Sequence, residues 1–199
     1  MVLNMKILLT SAGFQNRNIA AKFLELLGKP PKDAGVLFIP TAAIDETAKF
    51  YAKKCKTELL ACGIIESNFH PYNFEYKMTE PEALSYDVIY FTGGNTLRLL
   101  SRIKENGFDS IIKAMIRQGK TYVGVSAGSM IMTPNISLDH PLDSSTSGLG
   151  YLQAYLAVHY NQLDEGWTME TQSRLPLQLI TLHDMQGIWV NEDSYTIIE

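Results

Sequence analysis

Four short apolar runs punctuate the first two-thirds of the chain, and each closes on a turn signal before an amphipathic stretch begins. They are Lys6-Ile7-Leu8-Leu9, Val36-Leu37-Phe38-Ile39, Val88-Ile89-Tyr90-Phe91 and Thr121-Tyr122-Val123-Gly124-Val125. Such near-continuous hydrophobicity suits strands covered on both faces, as in a parallel sheet, and the alternation with helices is the rhythm of an α/β protein. Ile19, Phe23, Leu26 and Leu27 fall at helical spacing ahead of the stop signal Gly28-Lys29-Pro30-Pro31. Tyr51, Cys55, Leu59 and Cys62 do the same before Gly63. The spacing predicts further helices over residues 96–105 and 108–118. Past Ser137 the pattern changes. Residues 139–150 are rich in Ser, Pro, Asp and Gly and read as a long loop, which in a compact domain more often serves function than not. The remainder reads as a strand near 156–158, a short helix over 167–173 and strands near 179–182, 188–190 and 195–198. No repeat or linker interrupts the sequence, so the expectation is a single α/β domain over residues 1–199, its mostly parallel sheet flanked by helices on both faces.

Composition narrows the function classes. Of 199 residues, 46% are hydrophobic and 19% charged, enough apolar side chain to offset the entropy of ordering. A net charge of −4 with scattered Lys and Arg gives no footprint for nucleic acid. The absence of a long apolar run or a leader-like start argues for a cytoplasmic protein that does not engage a membrane. Cys55 and Cys62, on one predicted helix, would stand about 10.5 Å apart along it, too far for a disulfide, so both read as buried thiols. The four histidines, His70, His140, His159 and His183, show no metal-ligand spacing, and no metal or other cofactor is expected.

The most informative segment is Gly124-Val125-Ser126-Ala127-Gly128, set between a buried-type strand and the apolar Met130-Ile131-Met132. It matches a nucleophile elbow, in which a sharp strand-to-helix turn lifts a serine hydroxyl above the sheet and small neighbours prevent collision. The bland reading is a small-residue turn where strand and helix pack closely. A second Ser-Ala-Gly, residues 11–13, lacks the leading glycine, because Leu9 stands there, and reads as a loop lining the pocket. Thr92-Gly93-Gly94-Asn95-Thr96 closes another strand on the same sheet edge. It would either cradle phosphate or offer the Gly94 N–H, with that of Ala127, as an oxyanion hole, while Asn95 or Thr96 caps the helix. A serine nucleophile needs a base and an orienting carboxylate. His159, closing the run Leu156-Ala157-Val158, is better placed than His140 in the long loop. Asp139 is the favoured carboxylate, with Asp143 and Glu165 as alternatives.

Taken together these residues resemble the peptidase E and cyanophycinase family of serine peptidases. Gly93-Gly94-Asn95-Thr96 followed by Leu99-Leu100, Gly124-Val125-Ser126-Ala127-Gly128-Ser129, and a histidine 33 residues past the serine carry the resemblance. It implies a three-layer fold like that of class I glutamine amidotransferases, Ser126 as nucleophile, His159 as base, Gly94 and Ala127 as oxyanion donors, and a short-peptide substrate met by a monomer or homodimer. Aspartyl-specific members carry Glu-Thr-Arg soon after the histidine. Here the stretch reads Glu170-Thr171-Gln172 with Arg174 two positions on, so Glu170, Arg174 and Asn95 are the implied substrate-binding residues, with Arg98 as a second source of charge. Glutamine cannot form the charged bidentate pair that arginine makes with a carboxylate, so a preference for amino-terminal aspartate is expected only where Arg174 or Arg98 supplies the charge. Two other readings accompany this one: a small esterase sharing the elbow, and a non-catalytic relative binding a small ligand in the same pocket.

Overall fold

The computed structural model describes residues 5–161, 165–191 and 194–199, together with the backbone but not the side chain of Glu165 at the edge of that range. Its centre is a seven-stranded sheet. In chain order the main-sheet strands are β1 (Ile7–Thr10), β2 (Val36–Ile39), β3 (Phe69–Pro71), β4 (Val88–Phe91), β5 (Thr121–Val125), β8 (Gly187–Asn191) and β9 (Ser194–Ile198). A separate parallel pair is formed by β6 (Tyr155–Ala157) and β7 (Leu179–Thr181). The main sheet runs β3-β2-β4-β5-β1-β8-β9, parallel through the first five positions and antiparallel at β8 and β9. All four predicted apolar runs form strands buried along their whole length, the first running from Ile7 to Thr10 rather than from Lys6.

The helices are α1 (Arg17–Leu27), α2 (Glu46–Ala61), α3 (Glu80–Leu84), α4 (Thr96–Glu105), α5 (Phe108–Arg117), α6 (Ala127–Met130) and α7 (Glu165–Arg174). Alternate strand residues sort them into layers. Leu8, Phe38, Tyr90 and Val125 point to the side where Phe23, Cys55 and Leu59 of α1 and α2 pack. Ile7, Leu37, Ile89 and Tyr122 face the other side, against Leu99, Ile103, Ile112 and Met115 of α4 and α5. The result is a three-layer α/β architecture whose core lies on both faces of the sheet.

Side-chain caps fix where the helices on the functional edge begin. Asn16 accepts from the Asn18 N–H, Asp45 from Ala48 and Asn95 from Arg98. Two predicted features differ in detail. Only Cys55 is fully buried, because Cys62 caps the exposed end of α2 and is half-buried. Tyr51, although in register with the buried stripe, is exposed, because it lies where α2 overhangs the sheet edge rather than the sheet face.

Candidate active site

Parallel strands deliver their carboxyl ends to one edge of the sheet, and the loops after β1, β4 and β5 meet there. Ser126 follows β5 directly and adopts φ 49°, ψ −105°, while His159, just past β6, has φ 58°. Among the described residues only Phe74 shares a positive φ without being glycine. A conformation this costly persists only where the surroundings impose it. Here they do. A Cβ on Gly124 would come within 2.4 Å of the Gly128 carbonyl oxygen, and one on Gly128 within 2.6 Å of that of Phe91. The Ser129 hydroxyl accepts from the Thr10 N–H at 2.9 Å and lies 2.8 Å from both the Thr10 and Gly124 carbonyl oxygens. The Tyr122 hydroxyl donates to the Gly128 carbonyl at 2.7 Å from the core side. The elbow is therefore bolted to β1, β4 and β5 together.

The turned-out Ser126 Oγ lies 3.0 Å from His159 Nε2, and His159 Nδ1 lies 2.6 Å from Asp184 Oδ1. The three side chains form a continuous hydrogen-bonded row, half-exposed at its His159 and Asp184 end. Ser11 braces it from behind. Its buried hydroxyl accepts from the His159 backbone N–H at 2.8 Å and donates to Asp184 Oδ1 at 3.3 Å. The loop expected to line the pocket thus also fixes the imidazole's own backbone.

Asp184 replaces the expected Asp139. Asp139 sits with His140 and Asp143 around a separate surface hollow and makes no contact with His159. The physical reason is topological. Leu182 N–H donates to the Ala157 carbonyl at 2.8 Å and Tyr160 N–H to that of Leu182 at 3.0 Å, so the chain leaving β7 runs beside His159. It then turns through His183 and Gln186 into β8, which pairs with β1. An aspartate in that turn lands between His159 and Ser11. The available signal was an acidic residue in the turn between two strands, which the local sequence does not distinguish from a solvated loop charge. Asp143 caps a 3-10 turn through the Ser145 N–H, and the Glu165 side chain lies outside the described residues.

Gly93 and Gly94 lie against the serine. A Cβ on Gly93 would sit 3.1 Å from Ser126 Cβ, and one on Gly94 would strike the Ala42 carbonyl oxygen at 2.1 Å. At φ 131°, Gly94 holds a conformation that suits glycine alone, and its N–H has no protein acceptor among the described residues. Ala127 opens α6, where the geometry of a helix leaves the first N–H groups without intrahelical partners. Gly94 lines the same cavity as Ser126, and Ala127 directly follows the serine in the chain. Asn95 instead spends its side chain capping α4.

The other expected substrate contacts do not reach this place. Glu170 and Arg174 pair with each other at 3.8 Å on α7, and neither lines the cavity around Ser126. Gln172 ties α7 to the next segment, donating to the Leu177 carbonyl at 3.2 Å and accepting from the Leu179 N–H at 2.6 Å. Arg98 faces a different hollow, with Thr41 and Asn73. The cavity, about 860 Å³, is also lined by Asp45, Tyr51, Lys54 and Cys55 of α2 and its cap. Sequence reasoning missed this wall, because a helix face at the mouth of a site carries the same periodicity as one on the core. Cys55 is no rival nucleophile: burial pushes its thiol up to about 11, which keeps it protonated. Among the described residues no cluster of His, Cys, Asp and Glu could hold a metal ion, and no helix is long and apolar enough to cross a membrane.

Comparison with known proteins places the chain in a family. The model of peptidase family S51 matches residues 7–198. The chain belongs to that family. It is thereby a serine-type peptidase, a hydrolase. An "Uncharacterized peptidase PM1590" of Pasteurella multocida is 31% identical over 88% of this chain and 89% of its own length. A "Peptidase E" of Citrobacter koseri is 28% identical over 73% of this chain, a match spanning 64% of that relative. The crystal structure of a "Putative Peptidase E Protein" from Listeria monocytogenes superposes with a TM-score of 0.77 at 26% identity, covering 100% of this chain and 99% of the other.

Proposed function

We propose that this S51 member hydrolyses short peptides, in the manner of a dipeptidase, through Ser126, His159 and Asp184. The observation that carries the reading is the row Ser126 Oγ, His159 Nε2 and Nδ1, Asp184 Oδ1, at 3.0 and 2.6 Å, opening on a cavity of about 860 Å³. That volume suits a ligand of a few residues rather than a folded protein. His159 takes the Ser126 proton as Oγ attacks the scissile carbonyl. The N–H groups of Gly94 and Ala127 receive the charge developing on the carbonyl oxygen. The C–N bond then breaks, and His159 returns the proton to the departing amine. Water attacks the acyl-enzyme with His159 again as base, releasing the carboxylic acid and restoring the Ser126 hydroxyl. Asp184 holds Nδ1–H and stabilises the imidazolium in both halves.

The test pairs labelling with turnover. A fluorophosphonate should attach to Ser126, and Ser126→Ala should abolish both attachment and cleavage of a dipeptide panel. Full peptidase activity in Ser126→Ala would overturn the reading. Labelling with cleavage of esters but of no peptide would favour a small esterase, and neither would leave a ligand-binding relative.

A further inference from the structure

The core side of the elbow holds a buried phenol that the hydrolytic steps do not use. Tyr122 on β5 is fully buried, its ring stacked on that of Phe91 from β4 at 5.3 Å between centroids. Its hydroxyl donates to the Gly128 carbonyl at 2.7 Å. In a longer helix that carbonyl would take the Met132 N–H, but α6 stops at Met130 and this N–H goes to the Ser129 carbonyl at 3.1 Å. The Tyr122 hydroxyl stands in its place. Burial pushes the phenol well above its ordinary 10.0, so it stays protonated and remains a donor. The rest of the turn is a chain of amides. A trans peptide group is planar, with its C=O and N–H on opposite sides. In the peptide joining Gly128 to Ser129, the carbonyl takes the Tyr122 hydroxyl and the opposite N–H donates to the Ser126 carbonyl at 2.9 Å. In the peptide joining Ser126 to Ala127, that carbonyl is thereby held, and the opposite N–H is the Ala127 donor at the open end of α6. Two peptide planes thus connect a hydroxyl in the core to the amide beside the nucleophile. Each bond in such a chain fixes the next plane and polarises it, strengthening the donor beyond by about 10–30%.

We propose that Tyr122 is a positioning residue for the reaction, holding the Ala127 N–H on the oxyanion through these two peptide planes. This rests on the peptidase reading for the role of Ala127 as an oxyanion donor. Tyr122→Phe deletes the hydroxyl and keeps the ring. Losing an oxyanion donor outright costs about 10²- to 10³-fold in kcat, and losing the support of one should cost a fraction of that, about 2- to 10-fold. KM for the best dipeptide should hold, because the oxyanion exists only in the transition state. The pH profile of kcat should not move, because His159 keeps its partners. Labelling of Ser126 by a fluorophosphonate should slow by the same factor as kcat, since the phosphonyl oxygen takes the oxyanion's place. Tyr72→Phe is the control. It removes a comparably buried hydroxyl from a backbone carbonyl, that of Tyr76 at 2.6 Å, away from the cavity. It should lower thermal stability and leave kcat, KM and labelling unchanged. Tyr122→p-aminophenylalanine keeps a weaker donor on a ring of the same shape, should give intermediate rates, and carries the test alone if Tyr122→Phe does not fold. Labelling at the unsubstituted rate in either folded Tyr122 variant, a raised KM at constant kcat, or a shifted pH profile would overturn the proposal. Labelling that slows in Tyr122→Phe, in a protein whose unsubstituted form cleaves no peptide, would instead keep the positioning role and sink the peptidase reading.

Discussion

Replacing Asp184 by Asn tests the hydrogen-bonded row where the structure departs from the sequence expectation. Because the Ser11 hydroxyl accepts the His159 N–H, its own proton goes to Asp184 Oδ1, and the same oxygen faces His159 Nδ1. The amide introduced by Asp184→Asn can keep its oxygen in that position, pinned by Ser11, and so preserve the Nδ1–H tautomer. What it loses is the negative charge opposite the imidazolium that forms during attack. At a separation of about 4 Å that charge contributes between about 1 kcal/mol in water and about 4 kcal/mol in partly screened protein. With both side chains about half-exposed, 51% and 54%, the value falls inside those limits, or a roughly 10- to 10³-fold loss in kcat. Asp184→Ala removes the tautomer lock as well and should cost more, toward about 10⁴-fold. Steady-state cleavage of the best dipeptide reads both, with Asp139→Asn alongside. Asp139 stands at a separate hollow, so that variant should match the unsubstituted protein. An Asp184→Asn enzyme with unchanged kcat, or an Asp139→Asn enzyme crippled to the same degree, would refute the assignment.

Two further outcomes follow from the same contacts. Ser11→Ala deletes the buried acceptor of the His159 N–H and one donor to Asp184, which should lower stability by about 1–3 kcal/mol and reduce kcat more than it raises KM; denaturant melts and steady-state kinetics check the two separately. Glu58→Gln addresses pH. Burial raises the Glu58 carboxyl above its ordinary 4.5, outweighing the Phe14 N–H and the Lys54 charge that pull it down. A raised native value means stability is fully present below about 4.5 and declines as pH climbs through the native value. Glutamine can still accept from Phe14 but cannot ionise, so the variant's thermal midpoint should fall less than that of the unsubstituted chain between pH 4 and 7, and parallel curves would contradict the assignment.

The parts of the fold that sequence made legible are those where a single element carries the signal. Buried strands such as Val36–Ile39 and Val88–Phe91 are continuous apolar runs, and the Asn16 and Asn95 caps announce their helices. Phe69–Pro71 was missed as a strand because it is a three-residue edge element, partly exposed, with a proline that donates no ladder hydrogen bond. The short α3 (Glu80–Leu84) went unread for a similar reason: five residues are too few to show a period.

In the site, the same distinction separates Ser126 from Asp184. The elbow announces itself locally: a Cβ on Gly124 would strike the Gly128 carbonyl oxygen across the turn and one on Gly128 that of Phe91 on β4, and the two glycines that answer both constraints stand within five consecutive residues. The carboxylate is a product of topology, reached only when β8 pairs with β1 and carries the turn after β7 past both His159 and Ser11. Lys54 and Cys55 belong to that second kind, adjacent residues on one helix at the boundary between core and cavity. Periodicity shows which face of α2 is covered, but not whether protein or substrate covers it. Glu58 on the same helix accepts from the Phe14 N–H, so α2 anchors the loop after β1 through one residue while its neighbours line the cavity, and neither duty changes the spacing of its apolar positions.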